Sequence, residues 1–302
     1  MYGQAVPSAM ASGQAPCVVP NPHGSPIPVG PAHPLLVIAG PCTLESRDLG
    51  LTVGSELKKA CDDAGLPYVF KASFDKANRS SASSPRGPGL DEGLEWLADI
   101  GAELDCPVTT DVHLPEQAPP VAEVASLIQI PAFLCRQSDL LEAAARAAAP
   151  TDAVVNVKKG QFLSPKEMMG PIKKLHEAGC DNAMLTERGT FFGYHRLVND
   201  FVGIGDMMEL DRSKFCDRGP TPVCFDATHS TQLPGSGEQS GGRPERSGML
   251  ALAAVAAGVH ALFIESHPEP SSAWSDGATQ LPVGEAAAVI SRAAKVRACM
   301  GE

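Results

Sequence analysis

Basic side chains are scarce in this 302-residue chain: 24 lysines and arginines stand against 35 acidic residues, a formal charge of −11 at pH 7. Nucleic-acid backbones are held by a basic face, so this composition excludes a protein built for that polymer. Any anionic ligand must be met by cations gathered at one place. Charge of either sign is missing from the N-terminal arm, where Glu45 is the first charged side chain and Arg47 the first basic one. Secretory and organelle leaders carry early Lys or Arg, so a targeting signal is not expected. Residues 1–34 are instead rich in Ala, Pro, Gly and Ser, and are expected to stay disordered and to be dispensable for chemistry.

Long apolar runs are lacking too. The longest, Met249 to Ile264, contains Gly258 and His260 and falls short of the ~20 apolar residues of a membrane helix. It reads as a buried helix running into a strand, with no membrane partner. Closely spaced cysteines are absent: the nine thiols, at 17, 42, 61, 106, 135, 180, 216, 224 and 299, include no C-x-x-C pair. An odd, scattered set in a long chain reads as free thiols in a reducing compartment, the cytoplasm, most of them small core residues. A glycine-framed G-K-[ST] phosphate loop is also missing. The glycine-rich stretch 235–242 lacks its spacing and is read as a mobile lid over a site.

What is present is alternation. With 43% hydrophobic content the chain can bury one large core, and from Leu35 short β-rich runs recur at 35–39, 67–72, 107–112, 126–131, 153–158, 182–187, 222–227 and 260–266. Between them lie helical segments such as Asp48–Ala64, Leu90–Leu104, Asp139–Ala149 and Pro244–Ala257. Strand and helix alternating eight times predict a closed (β/α)8 TIM barrel over residues 35–302. A doubly wound open sheet is the alternative.

In such a barrel the C-terminal ends of the strands converge on one mouth. Cys42 follows the first run, Lys71 ends the second, Asp111 and His113 the third, and Gln129 with Arg136 follow the fourth. Lys158 ends the fifth, Glu187 and Arg188 the sixth, Asp226 and His229 the seventh, Glu265 and His267 the eighth. Any one of these alone reads as a strand-end salt bridge. Cations after four strands of an acidic chain read otherwise, because facing one cavity they repel unless an anion neutralises them. A small ligand with several negative charges, such as two phosphate esters, is implied. The loop Lys71-Ala-Ser-Phe-Asp-Lys-Ala-Asn-Arg-Ser-Ser81 adds point charges, a forked guanidinium and neutral donors. Cys42, His229, Glu265 and Asp276 offer a thiolate, an imidazole and two carboxylates, a set suited to a divalent transition metal. Their spacing does not establish a site, although a barrel brings the first three to the mouth.

The strings IAGPCTLES (38–46), FKASFDKANRSS (70–81), TDVH (110–113), IQIPAFLCRQ (128–137), NVKKGQF (156–162), ERGTFFGY (187–194), DATHSTQLPG (226–235) and ESHPEP (265–270) resemble the Kdo 8-phosphate synthase family over nearly all of residues 35–285. The resemblance implies condensation of phosphoenolpyruvate with D-arabinose 5-phosphate and water. It implies that Lys71, Lys76, Gln129, Lys158 and Arg188 hold phosphoenolpyruvate, and that Asn78, Arg79 and Ser80 hold the sugar phosphate. Arg136 is implied to reach in from a neighbouring subunit of a homotetramer. Lys76, Asp111 and His113 are the reacting-group candidates. Relatives that use erythrose 4-phosphate carry Lys-Pro-Arg-Thr where this chain has Lys76-Ala-Asn-Arg79, which favours arabinose 5-phosphate. Cys rather than Asn after Gly40-Pro41 matches the metal-dependent branch, with Zn, Fe, Mn, Co or Cd held by Cys42, His229, Glu265 and Asp276. His195, Arg196 and Asn199 depart from the family pattern. A degenerate, sugar-phosphate-binding barrel is the non-catalytic alternative.

Overall fold

The computed structural model describes residues 15–77, 85–234 and 241–300. Two three-residue strands come first, β1 (Cys17–Val19) and β2 (Ile27–Val29), paired antiparallel with Cys17 opposite Val29. Seven barrel strands follow: β3 (Leu36–Gly40), β4 (Tyr68–Lys71), β5 (Val108–Asp111), β6 (Leu127–Ile130), β7 (Val154–Lys158), β8 (Ala183–Glu187) and β9 (Val223–Asp226). A short antiparallel pair, β10 (Gln232–Leu233) and β11 (Gly241–Gly242), intervenes before β12 (Ala261–His267), the eighth barrel strand, to which β13 (Leu281–Pro282) adds. β12 pairs in parallel with both β9 and β3, which closes the ring. Every other neighbouring pair is parallel too. The (β/α)8 barrel is therefore the fold, and the open sheet is excluded. No described helix is long and apolar enough to cross a membrane.

Helices wrap the ring where the apolar periodicity places them. The first, α1 (Arg47–Ala64), starts at Ser46, whose hydroxyl accepts from the Leu49 N–H at 3.1 Å. It ends at Gly65, whose left-handed φ of 66° favours glycine. Val53, Leu57 and Cys61 form its buried stripe. The apolar run at 249–264 resolves as expected into a helix, Ser247–Ala256, and then β12.

Period two along the strands sorts every side chain to one of two faces. Leu36, Ile38, Val69, Leu127, Val154, Met184, Cys224, Ala261 and Phe263 fill the barrel interior. Their immediate neighbours Val37, Ala39, Phe70, Ile128, Val155, Leu185, Phe225 and Ile264 pack outward against the helices. Continuing the inward parity toward the C-terminal ends, by two residues in β4, β6, β9 and β12 and by four in β7, gives Lys71, Gln129, Asp226, Glu265 and Lys158, so the mouth is lined by register alone.

The expectation of a disordered arm is corrected for residues 15–34. Cys17, Val19 and Val29 are fully buried and belong to the same apolar cluster as the barrel interior. The Asn182 side chain accepts from the Val18 N–H at 3.0 Å and donates to the Val18 carbonyl at 2.7 Å. Fully buried Arg212 donates to the Pro16 carbonyl at 3.1 Å. The arm lacks a core of its own and completes another: its apolar residues stopper the barrel floor, opposite the mouth. Residues 1–14 lie outside the described residues.

Candidate active site

Two loops and the C-terminal end of β12 bring the sulfur and carboxylate groups together. The last residue of β3 is a glycine, where any Cβ would collide with the Lys71 carbonyl oxygen. The chain then turns so that the Cys42 N–H donates to Gln280 Oε1 at 3.2 Å and the Cys42 thiol to Asp276 Oδ2 at 3.1 Å. Cys42, Glu265 and Asp276 each offer a ligand atom, all within 4.8 Å of one another. His229 stands beside this trio rather than inside it, with Nε2 3.5 Å from Glu265 Oε2. Its other ring nitrogen, Nδ1, is engaged by Asp226 Oδ2 at 2.7 Å, which turns Nε2 to the cluster. Asp276 holds a left-handed backbone, φ 50°, steadied by the Thr279 and Gln280 N–H groups on its carbonyl.

Electrostatics at this cluster are strong. Burial raises the Cys42 thiol pKa well above its ordinary value, and Glu265 reinforces it. Burial works against the Glu265 carboxylate, but Lys71, His229 and Lys76 outweigh it and hold its pKa at about 2. Asp276 is likewise held down by His229 and Lys76 against the cost of burial. Glu265 Oε2 has no hydrogen-bond partner although it is buried. A thiol that must lose a proton, and an imidazole nitrogen and a carboxylate oxygen that face each other at 3.5 Å without a hydrogen bond, are the groups a divalent cation would satisfy.

Cations stand among these acids. Lys71 donates to the Cys42 carbonyl at 3.0 Å and pairs with Glu265. Lys158 donates to Asp226 Oδ2 at 2.6 Å and sits 3.8 Å over the Phe263 ring. Arg188 donates to the His229 carbonyl at 2.9 Å and to Gln232 Oε1. Burial lowers the Arg188 pKa while Asp226 and Asp276 oppose that fall. Lys76 donates to Ser73 Oγ at 2.9 Å, and burial of its ammonium is outweighed by Cys42, Glu265 and Asp111. Asp111 is buried and kept ionised by Lys76 and His113, whose Nε2 lies 3.1 Å from Asp111 Oδ2. Asp111 Oδ1, His113 Nδ1, Gln129 Oε1 and Arg188 Nε are buried without a partner. Unpartnered buried polar atoms are uncommon. Gathered at one mouth, they are seats for a polar ligand.

Register separates look-alikes. Glu187, a mouth candidate by position, faces outward with Lys159: Nζ of Lys159 lies 3.4 Å from Glu187 Oε2, and Glu187 Oε1 accepts the Arg188 and Gly189 N–H groups at 2.9 and 2.6 Å. It supports the Arg188 loop and does not line the mouth. Arg136 is exposed, and among the described residues its side chain makes no hydrogen bond or ion pair. Asn78, Arg79, Ser80 and the stretch 235–240 lie outside the described residues; Gly241 and Gly242 form β11. A cavity of about 460 Å³ opens beside the cluster, lined by Arg196, Asn199 and Gln232 among others. Two of the departures from the family pattern thus face this side cavity. Gln232 and Gln280 are not singled out by the sequence; Gln232 lies within the 226–235 string three residues after His229, and Gln280 has only its position four residues after Asp276.

An eight-stranded parallel barrel whose mouth sets buried lysines and an arginine among a Cys/Glu/Asp cluster is the class of enzyme that acts on small polyanions. The chain belongs to the DAHP synthetase I family, whose model matches residues 14–298. It is 50% identical over 288 residues to a 2-dehydro-3-deoxyphosphooctonate aldolase of Desulfotalea psychrophila, covering 95% of this chain and 98% of that protein. Proteins of the same name from Nitratidesulfovibrio vulgaris and a Synechococcus species are 51% and 46% identical, over 84% and 91% of this chain and 89% and 92% of theirs.

Proposed function

We propose that this enzyme joins phosphoenolpyruvate to D-arabinose 5-phosphate, with water, to give 3-deoxy-D-manno-octulosonate 8-phosphate and inorganic phosphate, a step in making the Kdo of lipopolysaccharide. The relatives are named for an eight-carbon acid. Three carbons of phosphoenolpyruvate and five of arabinose sum to eight, whereas erythrose 4-phosphate would give seven. The observation that carries the reading is the mouth itself, where Lys71, Lys76, Lys158 and Arg188 meet unpartnered buried polar atoms.

In this reading C3 of phosphoenolpyruvate attacks the sugar aldehyde while water adds at C2. The hemiketal phosphate then collapses by C–O cleavage, releasing phosphate. Lys71, Lys76, Gln129, Lys158 and Arg188 hold the carboxylate and phosphate of phosphoenolpyruvate, and their fixed charges stabilise developing negative charge without reorganising. Net proton flow runs from the attacking water to the aldehyde oxygen. Lys76 and the Asp111–His113 pair are the groups placed to carry it, with Asp111 fixing one ring nitrogen and leaving the other open. Asn78, Arg79 and Ser80 bind the sugar phosphate, joined by Arg136 from a neighbour in a cytoplasmic homotetramer. Exposed Phe133, three residues before Arg136, supports a contact on that face.

Cys42, His229, Glu265 and Asp276 fit a divalent metal, Zn, Fe, Mn, Co or Cd, by donor type and by the unpartnered Glu265 oxygen. Bound there, such a metal supplies Lewis acidity toward a water or aldehyde oxygen. The test is phosphate release from phosphoenolpyruvate with each aldose phosphate, before and after treatment with a strong chelator. Turnover with arabinose 5-phosphate, far less with erythrose 4-phosphate, and loss on chelation restored by added metal are expected. Equal rates with both sugars would sink the substrate assignment, and full activity in metal-free protein would sink the metal.

A further inference from the structure

Each of the four residues assigned to the metal is tied to one of the cations assigned to phosphoenolpyruvate. Lys71 bridges to Glu265 and to the backbone of Cys42. Asp226 joins His229 to Lys158, accepting from both at 2.7 and 2.6 Å. Gln232 joins Asp276 to Arg188: its Nε2 donates to Asp276 Oδ1 at 3.3 Å while its Oε1 accepts from the guanidinium.

The third bridge differs from the others because its central group is neutral. A side-chain amide of this length can accept from a guanidinium at one end and donate to a carboxylate at the other while staying uncharged. Its backbone is pinned, since Gln232 pairs with Gly242 across β10 and β11. Gly242 in turn packs on the Asp276 loop so closely that a Cβ would meet the Ala278 carbonyl oxygen at 2.3 Å. Arg188 and Asp276 carry opposite charges and feel each other's field. With no spacer they would pair directly, closing a phosphate seat and a metal ligand at once.

We propose that Gln232 is a positioning residue that couples occupancy of the metal cluster to binding of phosphoenolpyruvate. The proposal rests on the functional reading above. Among the described residues Lys71, Lys76, Lys158 and Arg188 face Asp111, Asp226, Glu265 and Asp276, four charges of each sign. A divalent cation draws Asp276 and Glu265 to itself and leaves Arg188 and Lys71 free for an anion. An anion does the converse. Each ligand therefore favours the other, and by linkage the two effects are equal. Gln232 transmits this between Asp276 and Arg188 because its amide keeps both groups apart and turned to their own ligands.

The experiment measures Zn²⁺ affinity of the full-length protein by competition with a chromophoric chelator, with and without saturating phosphoenolpyruvate and with no sugar present. Phosphoenolpyruvate should tighten Zn²⁺ binding to the parent protein by on the order of 5-fold or more, the range of ordinary coupling energies. In Gln232→Leu the effect should shrink to what the Lys71–Glu265 and Asp226 links still transmit, and both Zn²⁺ affinity and the KM for phosphoenolpyruvate should worsen together, with the circular-dichroism spectrum unchanged. Gln232→Asn, one methylene too short to span the gap, should behave the same way and serves if the leucine variant does not fold. Undiminished phosphoenolpyruvate enhancement in either folded variant overturns the proposal. A parent protein that binds Zn²⁺ tightly but indifferently to phosphoenolpyruvate overturns the coupling alone. A parent that binds none of Zn²⁺, Fe²⁺, Mn²⁺, Co²⁺ and Cd²⁺ in the same competition overturns the metal reading and the coupling with it.

Discussion

Lys158 and Lys159 are adjacent, chemically identical and assigned to different work by the pleat of one strand. Lys158 enters the mouth over Phe263, while Lys159 turns outward to Glu187, the Leu163 carbonyl at 3.1 Å and Thr190 Oγ1 at 3.0 Å. The same rule governs histidine. His113 and His229 stand at the C-terminal ends of strands, but His260 precedes β12 and is buried near the floor, where its Nδ1 accepts the Val223 N–H at 3.0 Å. Burial, aided by the Arg297 charge, lowers its pKa from 6.5 to about 4. The unfolded chain then binds a proton near pH 6.5 that the folded site refuses until about pH 4. Stability from this group is full above pH 6.5 and drains away as pH falls toward 4, a loss of about 3 kcal/mol at ~1.4 kcal/mol per pH unit. His260→Asn, which keeps an acceptor without a titrating ring, should flatten the dependence of the unfolding midpoint between pH 6.5 and 4. An unchanged slope would assign the acid sensitivity elsewhere. Much of the mouth could be read at this scale: Lys71, Gln129, Lys158, Asp226 and Glu265 follow from inward parity at the ends of apolar runs. The bridge made by Gln232 could not, because it depends on where the 273–280 loop returns, a contact 44 residues away in the chain.

Elements follow the same logic one level up. All eight barrel strands fall within a residue of the runs read from β-branched and apolar patterning, because strands buried on both faces are nearly continuous in hydrophobicity. The β1–β2 hairpin escaped because its strands are three residues long and set among Pro, Gly and Ser, a composition that resembles linker. What orders it is supplied elsewhere, by the open floor of the barrel and by two polar straps, Asn182 and Arg212. Asn182 also donates to the Asp152 carbonyl at 2.7 Å, so one amide ties the hairpin to the start of β7. Asn182→Ala leaves the Val18 N–H and carbonyl without that partner, and a buried polar group left unpaired costs ~1–3 kcal/mol. Chemical denaturation should show a loss of that size, with kcat for the condensation unchanged because the strap lies at the end of the barrel opposite the mouth. A variant as stable as the parent would mean that apolar contacts of Cys17, Val19 and Val29 hold the hairpin unaided.

For the molecule as a whole, the proposed sugar-phosphate seat raises the question of which copy of the chain supplies its cations. The sugar phosphate needs cations, and Arg136 is exposed and without an ion-pair partner among the described residues, beside exposed Phe133. An unpaired guanidinium next to an exposed aromatic suits a contact in trans, where both are covered by a second copy and the charge meets a phosphate. If Arg136 serves its neighbour, Arg136→Ala should raise the KM for arabinose 5-phosphate by on the order of 10- to 100-fold, the equivalent of losing a charge-assisted contact of ~1.5–3 kcal/mol. The KM for phosphoenolpyruvate should move little. Lys158→Met should be inactive for a different reason, loss of a cation inside its own barrel. Co-expressing the two variants under separate tags and isolating hybrids then distinguishes trans from cis action. In a hybrid, an Arg136→Ala subunit has an intact mouth and can receive Arg136 from a Lys158→Met neighbour, so wild-type sugar affinity should return at up to one competent site per Arg136→Ala subunit. Hybrids that show only the weak sugar binding of the Arg136→Ala parent would place Arg136 in cis and remove the subunit interface from the active site.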